Sequence, residues 1–209
     1  MTIVLRREEF DGLIFDCDGT LVDTAPSHLA ALRLALERVG LAIDDEWYFK
    51  RVGLGPDDLL DDYENHYSPL PMSRPEFLAP YAEAFQQGLA ELREVEIVAS
   101  LAREWHGQVP MSVASNGQGA NVRATLGSVG LLSLFDYVVA IEDVARGKPA
   151  PDIFLEAARR MGVPAERCVV LEDSDEGLEG ARRAGTHVID VRTLWTPSWK
   201  ETTNAGEGS

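Results

Sequence analysis

The chain has 209 residues, enough for one fair-sized core or for one core with a small accessory domain, and too few for two full domains. Hydrophobic residues make up 45% of it and charged residues 26%, a balance that excludes wholesale disorder. With 35 acidic residues against 19 basic ones the formal charge is −16, which repels nucleic acid and anionic membranes and requires any phosphate site to hold a divalent cation and local donors.

From the N-terminus, MTIVLRREEF carries acidic residues where a secretion signal needs its apolar run, and no segment approaches the roughly 20 apolar residues of a membrane span. Gly12-Leu13-Ile14-Phe15 is almost continuously apolar, as expected of a strand buried on both faces of a parallel sheet, and it ends in Asp16-Cys17-Asp18-Gly19-Thr20. The stretch from Ala25 to Glu94 has helical periodicity and turn signals without a convincing strand. Pro26 opens a helix through Leu29, Leu32, Leu36 and Val39 that Gly40 closes. A second helix starts near Pro56-Asp57-Asp58, others cover parts of Phe77 to Leu92, and the Pro-rich stretch Ser68 to Pro75 connects them.

Beyond the helical stretch, strands are expected at Val109 to Ala114, Tyr137 to Ile141, Cys168 to Leu171 and His187 to Val191. Helices are expected at Gln118 to Val129, Asp152 to Met161 and Glu176 to Ala184, with Gly130, Gly162 and Gly185 just past their ends. The tail Thr196 to Ser209 reads as polar and loosely ordered. The alternation predicts an α/β fold: a Rossmann-like parallel-sheet core with helices on both faces, built from residues 1–24 and 95–209. A small α-helical cap domain, residues 25–94, is inserted after the first strand. Cys17 and Cys168 stand far apart without C-x-x-C spacing, which suggests neither disulfide nor zinc and fits a reducing cytoplasm.

Ligands of open parallel sheets bind beyond the carboxyl ends of the strands. Four such ends carry polar groups: Asp16 with Asp18, Ser115 with Asn116, Lys148 before a helix, and Glu172 with Asp173. Paired carboxylates repel unless a cation or proton lies between them, and an all-oxygen set suits Mg2+. A carboxylate such as Asp16 can attack phosphorus, Asp18 can protonate the leaving oxygen and later deprotonate water, and Ser115 and Lys148 can hold the transferring group. Any one of these aspartates alone reads as a turn or helix cap. Cys17 alternates away from its neighbours into the core, and His66, His106 and His187 have no ligand spacing. Trp47, Tyr48 and Phe49 are expected in the core of the cap.

FDCDGTLVDT (Phe15 to Thr24), VASNG (Val113 to Gly117), GKPAPDIF (Gly147 to Phe154) and LEDSDEGLEGARRAG (Leu171 to Gly185) resemble the four signature motifs of the haloacid dehalogenase superfamily, in the same order and spacing. Over residues 10 to 193 the chain is similar to the branch of β-phosphoglucomutase and small sugar-phosphate phosphatases, the fructose-1-phosphatase type included. The resemblance implies Asp16 as nucleophile and Asp18 as general acid and base, with the main-chain carbonyl of Asp18 on Mg2+. It implies Ser115 as phosphate ligand, Lys148 as the charge linking phosphate to Asp16, and Asp173 as metal ligand, with Glu172 either joining it or supporting it. Thr20, His28, Asn116 and Gly117 complete the expected substrate-binding set.

Asp18 marks phosphatases and phosphomutases, since the dehalogenases of the superfamily lack this residue. The phosphonatase branch brings a Schiff-base lysine on its cap, for which Lys50 is not in a matching motif. A mutase remains the alternative. His28 stands where β-phosphoglucomutases carry histidine, yet Gly53-Leu54-Gly55-Pro56 lacks their phosphate-holding arginine, unless Lys50 or Arg51 substitutes. A non-catalytic protein binding a phosphorylated ligand is the third reading. The expectation is a Mg2+-dependent phosphatase for a small phosphorylated metabolite, a sugar phosphate, working as a cytoplasmic monomer without nucleic-acid or membrane partners.

Overall fold

The computed structural model describes residues 3, 5–197 and 199. Its first strand, β1 (Gly12–Phe15), is buried along its whole length. The following backbone turns back on itself to β2 (Val22–Asp23). Four helices come next: α1 (Ala25–Glu37), α2 (Asp45–Phe49), α3 (Pro56–His66) and α4 (Arg74–Gln87). Then β3 (Arg93–Glu94) pairs antiparallel with β2, and α5 (Glu96–Trp105) leads into β4 (Met111–Ala114). The rest alternates as α6 (Gly119–Ser128), β5 (Tyr137–Val139), α7 (Asp152–Met161), β6 (Cys168–Glu172), α8 (Asp175–Arg183) and β7 (His187–Asp190).

The five long strands form one sheet in the order β5-β4-β1-β6-β7, every neighbouring pair parallel. This is an α/β, Rossmann-like sheet with β1 at its centre, where a strand apolar on both faces belongs. Ile14, Ala114, Val139 and Val170 pack against Ile153, Phe154 and Ala157 of α7 and Ala181 of α8. A fully buried side chain the size of Phe154 contributes roughly 1.5–3 kcal/mol relative to exposure, so this face alone anchors α7 firmly. Helix α7 ends at Gly162, which adopts the left-handed conformation, and Arg159 and Arg160 occupy its last turn, where cations meet the negative end of the helix dipole.

Described residues up to Asp23 and from Arg93 to Pro197 form one compact unit, and Thr24–Leu92 with Trp199 a second. The second unit has its own core of Leu29, Leu32 and Leu36 from α1, Trp47 and Tyr48 from α2, Leu60 and Tyr63 from α3, and Phe77 from α4. Helices α1, α3 and α4 start where proline suits a first turn, at Pro26, Pro56 and Pro75. The Glu76 carboxylate accepts from both the N–H and the hydroxyl of Ser73 at the start of α4. Among the described residues no helix is long and apolar enough to cross a membrane.

Several expectations change. Arg74 and Pro75, read as part of a connection, form the first turn of α4, because proline at that position needs no N–H partner. Arg93 and Glu94, read as part of a strandless helical stretch, are β3, because Val22 and Asp23 supply a ladder from far away in sequence. The strand expected to reach Ile141 stops at Val139. Asp143 accepts a bond from the Ala140 N–H there, and residues Ile141–Asp143 turn. Helices α2 and α5 were not anticipated, although Val98, Leu101, Ala102 and Trp105 of α5 already carry helical spacing. The polar tail lies, beyond Pro197 and apart from Trp199, outside the described residues.

Candidate active site

Asp16 extends β1 by one residue: its N–H donates to the Leu171 carbonyl at 3.0 Å, so the ladder with β6 carries its carboxylate to the strand's end. The chain then folds tightly, with the N–H groups of Leu21 and Val22 both donating to the Cys17 carbonyl. Gly19 makes this possible with φ of +85°, and it has no room for a side chain, since a β-carbon would lie 2.1 Å from Oδ2 of Asp173.

The lysine of the loop before α7 reaches into this strand end. Nζ of Lys148 is 2.5 Å from Oδ1 of Asp16 and 2.6 Å from Oε2 of Glu172. All three side chains are at most 8% exposed. Oε1 of Glu172 accepts from the N–H groups of Asp173 and Ser174, each at 3.0 Å, and from the Ser174 hydroxyl at 2.9 Å. Ser174 in turn caps α8 by accepting from the Gly177 N–H. Glu172 is thus fixed by the two residues that lead into the helix that follows it.

Oxygens of Asp16, Glu172 and Asp173 all lie within 4.8 Å of one another. Three carboxylates here share one ammonium. Burial, with the charge of Glu172 next, pushes the Asp16 carboxyl well above the usual carboxylate range, against the pull of Lys148. Burial and Glu172 also raise Asp173 to about 7, opposed by its hydrogen bond from Thr20 and by Lys148. Burial opposes the charge on Lys148, but Asp16 and Glu172 outweigh it and hold the ammonium above its ordinary range. The surplus of negative charge, together with a donor set made only of oxygen, fits a hard divalent cation.

Ser115 closes the other side. Its N–H donates to the Val139 carbonyl, continuing the β4–β5 ladder, and its Oγ accepts from the Gly117 N–H at 3.0 Å. A β-carbon on Gly117 would lie 3.2 Å from that Oγ and 3.9 Å from Oδ2 of Asp18, so the Asp18 carboxylate faces the Gly117 turn. The side chain of Asp18 is outside the three-carboxylate group. At the start of α6, Oε1 of Glu142 accepts from the Gly119 N–H at 2.8 Å. No local sequence signal marks Glu142 for that capping role.

Two expected substrate-binding residues bond to other groups of the protein. Thr20 is fully buried and donates its hydroxyl to Oδ1 of Asp173 at 3.0 Å, because the turn after Cys17 directs it toward β6. Asn116 turns its amide toward the backbone of Lys148. His28 belongs to the helical unit, where its Nδ1 is 2.6 Å from the Tyr81 hydroxyl and its ring stacks on Phe85 at 4.2 Å. Cys17 is a buried free thiol.

Residues 10–185 match the family model of haloacid dehalogenase-like hydrolases. The fructose-1-phosphate phosphatase YqaB of Escherichia coli (strain K12) is 37% identical over 191 residues, covering 90% of this chain and 99% of that protein. The 6-phosphogluconate phosphatase of the same organism is 30% identical over 184 residues, covering 86% of this chain and 81% of that protein. Among solved structures, CbbY from Rhodobacter sphaeroides in complex with phosphate superposes with a TM-score of 0.78 at 29% identity, covering 87% of this chain and 85% of that one.

Proposed function

The chain belongs to the haloacid dehalogenase-like hydrolases, and from that membership we propose that it is a Mg2+-dependent phosphatase that hydrolyses a small sugar phosphate through a phosphoryl group held on Asp16. The observation that carries this reading is the buried meeting of Asp16, Lys148, Glu172 and Asp173 at the carboxyl end of the central strand. The similarity to a fructose-1-phosphate phosphatase and a 6-phosphogluconate phosphatase supports the substrate class.

Asp16 and Asp173, with the main-chain carbonyl of Asp18 and with Glu172 beside them, would hold the cation. When bound, Mg2+ offsets the repulsion between the Asp16 carboxylate and the phosphate oxygens. In the first step a carboxylate oxygen of Asp16 forms a bond to phosphorus while the bond to the sugar oxygen breaks, and Asp18 gives that oxygen its proton. In the second step Asp18 takes a proton from water, the water oxygen bonds to phosphorus, and the bond to Asp16 breaks to release inorganic phosphate. Lys148 supplies positive charge next to Asp16 throughout, and the Ser115 hydroxyl, which now accepts from Gly117, turns to donate to a phosphate oxygen. The acidic charge of the whole chain supports a substrate other than nucleic acid.

A phosphate-release screen over sugar phosphates, nucleotides and phosphoglycolate, with Mg2+ and again with EDTA, tests the proposal. The expected result is Mg2+-dependent release from a sugar phosphate that EDTA silences and added Mg2+ restores. Conversion of a sugar 1-phosphate to a 6-phosphate without net phosphate release would replace the proposal with a mutase.

A further inference from the structure

Asn116 sits next to Ser115, yet both ends of its side-chain amide are committed to a different loop. Its Oδ1 accepts from the Lys148 N–H at 2.8 Å, and its Nδ2 donates to the Lys148 carbonyl at 3.3 Å. One residue's peptide N–H and C=O are thus read together by one side chain. Among side chains of this length only a carboxamide can do so, because a carboxylate lacks the donor. The backbone of the partner loop comes close enough because residue 147 is glycine: a β-carbon there would lie 2.6 Å from Oδ1 of Asn116.

The other end of Lys148 gives this clamp its consequence. Lysine carries a point charge on a flexible four-carbon stem, so its ammonium can be placed accurately only if the stem starts from a fixed backbone. Here the stem starts at a backbone held by Asn116 and ends between Asp16 and Glu172. The same clamp joins the loop of Ser115 to the loop of Lys148, the two groups that would hold a phosphoryl group from different strands.

We infer that Asn116 is a positioning residue: it acts through Lys148, setting the ammonium against Asp16 and the transferring phosphoryl group, and does not itself contact substrate. The inference rests on the phosphatase reading for the role of Lys148. It differs from a substrate-binding role in a way that coupling between mutations can read.

Four proteins make the test: the full-length wild type, Asn116→Ala, Lys148→Ala and the double variant. Each is measured for Mg2+-dependent phosphate release and for calorimetric binding of inorganic phosphate in the presence of Mg2+. Asn116→Ala should lower kcat/KM about 10-fold and weaken phosphate binding in step, since small displacements of a catalytic group cost on this order or more. In the Lys148→Ala background the same substitution should change either quantity by less than about 2-fold. An equal cost with and without Lys148, or no cost in the wild-type background, would overturn the inference. Should Asn116→Ala fail to fold, Asn116→Asp keeps the shape and the acceptor, loses the donor, and is expected to show the same dependence on Lys148. If the wild type releases phosphate from no ester, the proposed activity fails, while the phosphate-binding measurements still decide the clamp.

Discussion

The hydroxyl of Thr20 and the bare backbone of Gly19 together decide where the Asp173 carboxylate points, one oxygen accepting at 3.0 Å and the other lying against the glycine. Partners of metal-ligating groups tune affinity as well as orientation. Thr20→Val, nearly the same shape without the donor, should therefore weaken Mg2+ binding by about 10-fold in calorimetry, and Thr20→Ser should recover most of it. Unchanged Mg2+ affinity in Thr20→Val would remove Thr20 from the site. The chemistry-bearing types Asp16, Lys148, Glu172 and Asp173 were legible in the sequence because each follows or precedes a recognisable strand or helix. The hydrogen bonds of Thr20 and Asn116 were not, because their partners lie 153 and 32 residues away and nothing local reports them.

At the scale of elements, α8 illustrates how a helix start becomes part of a site. Its first turn packs so closely on Glu172 that a β-carbon at Gly177 would fall 2.0 Å from the Glu172 carboxyl carbon. Gly177→Ala should destabilise the protein by about 1–3 kcal/mol, since overpacking forces a buried, multiply bonded carboxylate to move. Gly127, also helical, has open space around it, and Gly127→Ala should stabilise by up to about 1 kcal/mol. Thermal or urea unfolding of the two variants checks the opposite signs, and a neutral Gly177→Ala would contradict the packing described for Glu172. Elements whose signals are local were readable in advance: β1 from its apolar run, and α7 from its spacing and terminal Gly162. The β2–β3 ladder, two residues on each side, depends on a long-range pairing that periodicity cannot carry, and the Ile141–Asp143 turn depends on one side-chain bond to the Ala140 N–H.

The whole molecule carries a formal charge of −16, and it adds a buried surplus of carboxylates at one point of its fold. Without a cation, Asp173 in the folded protein holds its proton up to about 7, against an ordinary value of 3.8. Asp16 is shifted in the same direction by burial and by Glu172. In that window the folded state binds more protons than the unfolded one, so its stability falls as pH rises from about 4 through about 7. A cation bound by the carboxylates replaces those protons. The rise in Tm on adding Mg2+ should accordingly be larger at pH 8 than at pH 5. A rise that is equal at the two values, or larger at pH 5, would mean that the raised carboxyls are not the groups that meet the metal.

Asp16 is the residue proposed to take the phosphoryl group. The most direct measurement is the rate of Mg2+-dependent phosphate release by Asp16→Asn beside the wild type, on the best ester from the screen. Loss of the nucleophile with its shape preserved should lower the rate by at least about 1,000-fold while the protein keeps its fold. Release at the wild-type rate would contradict the account at its centre.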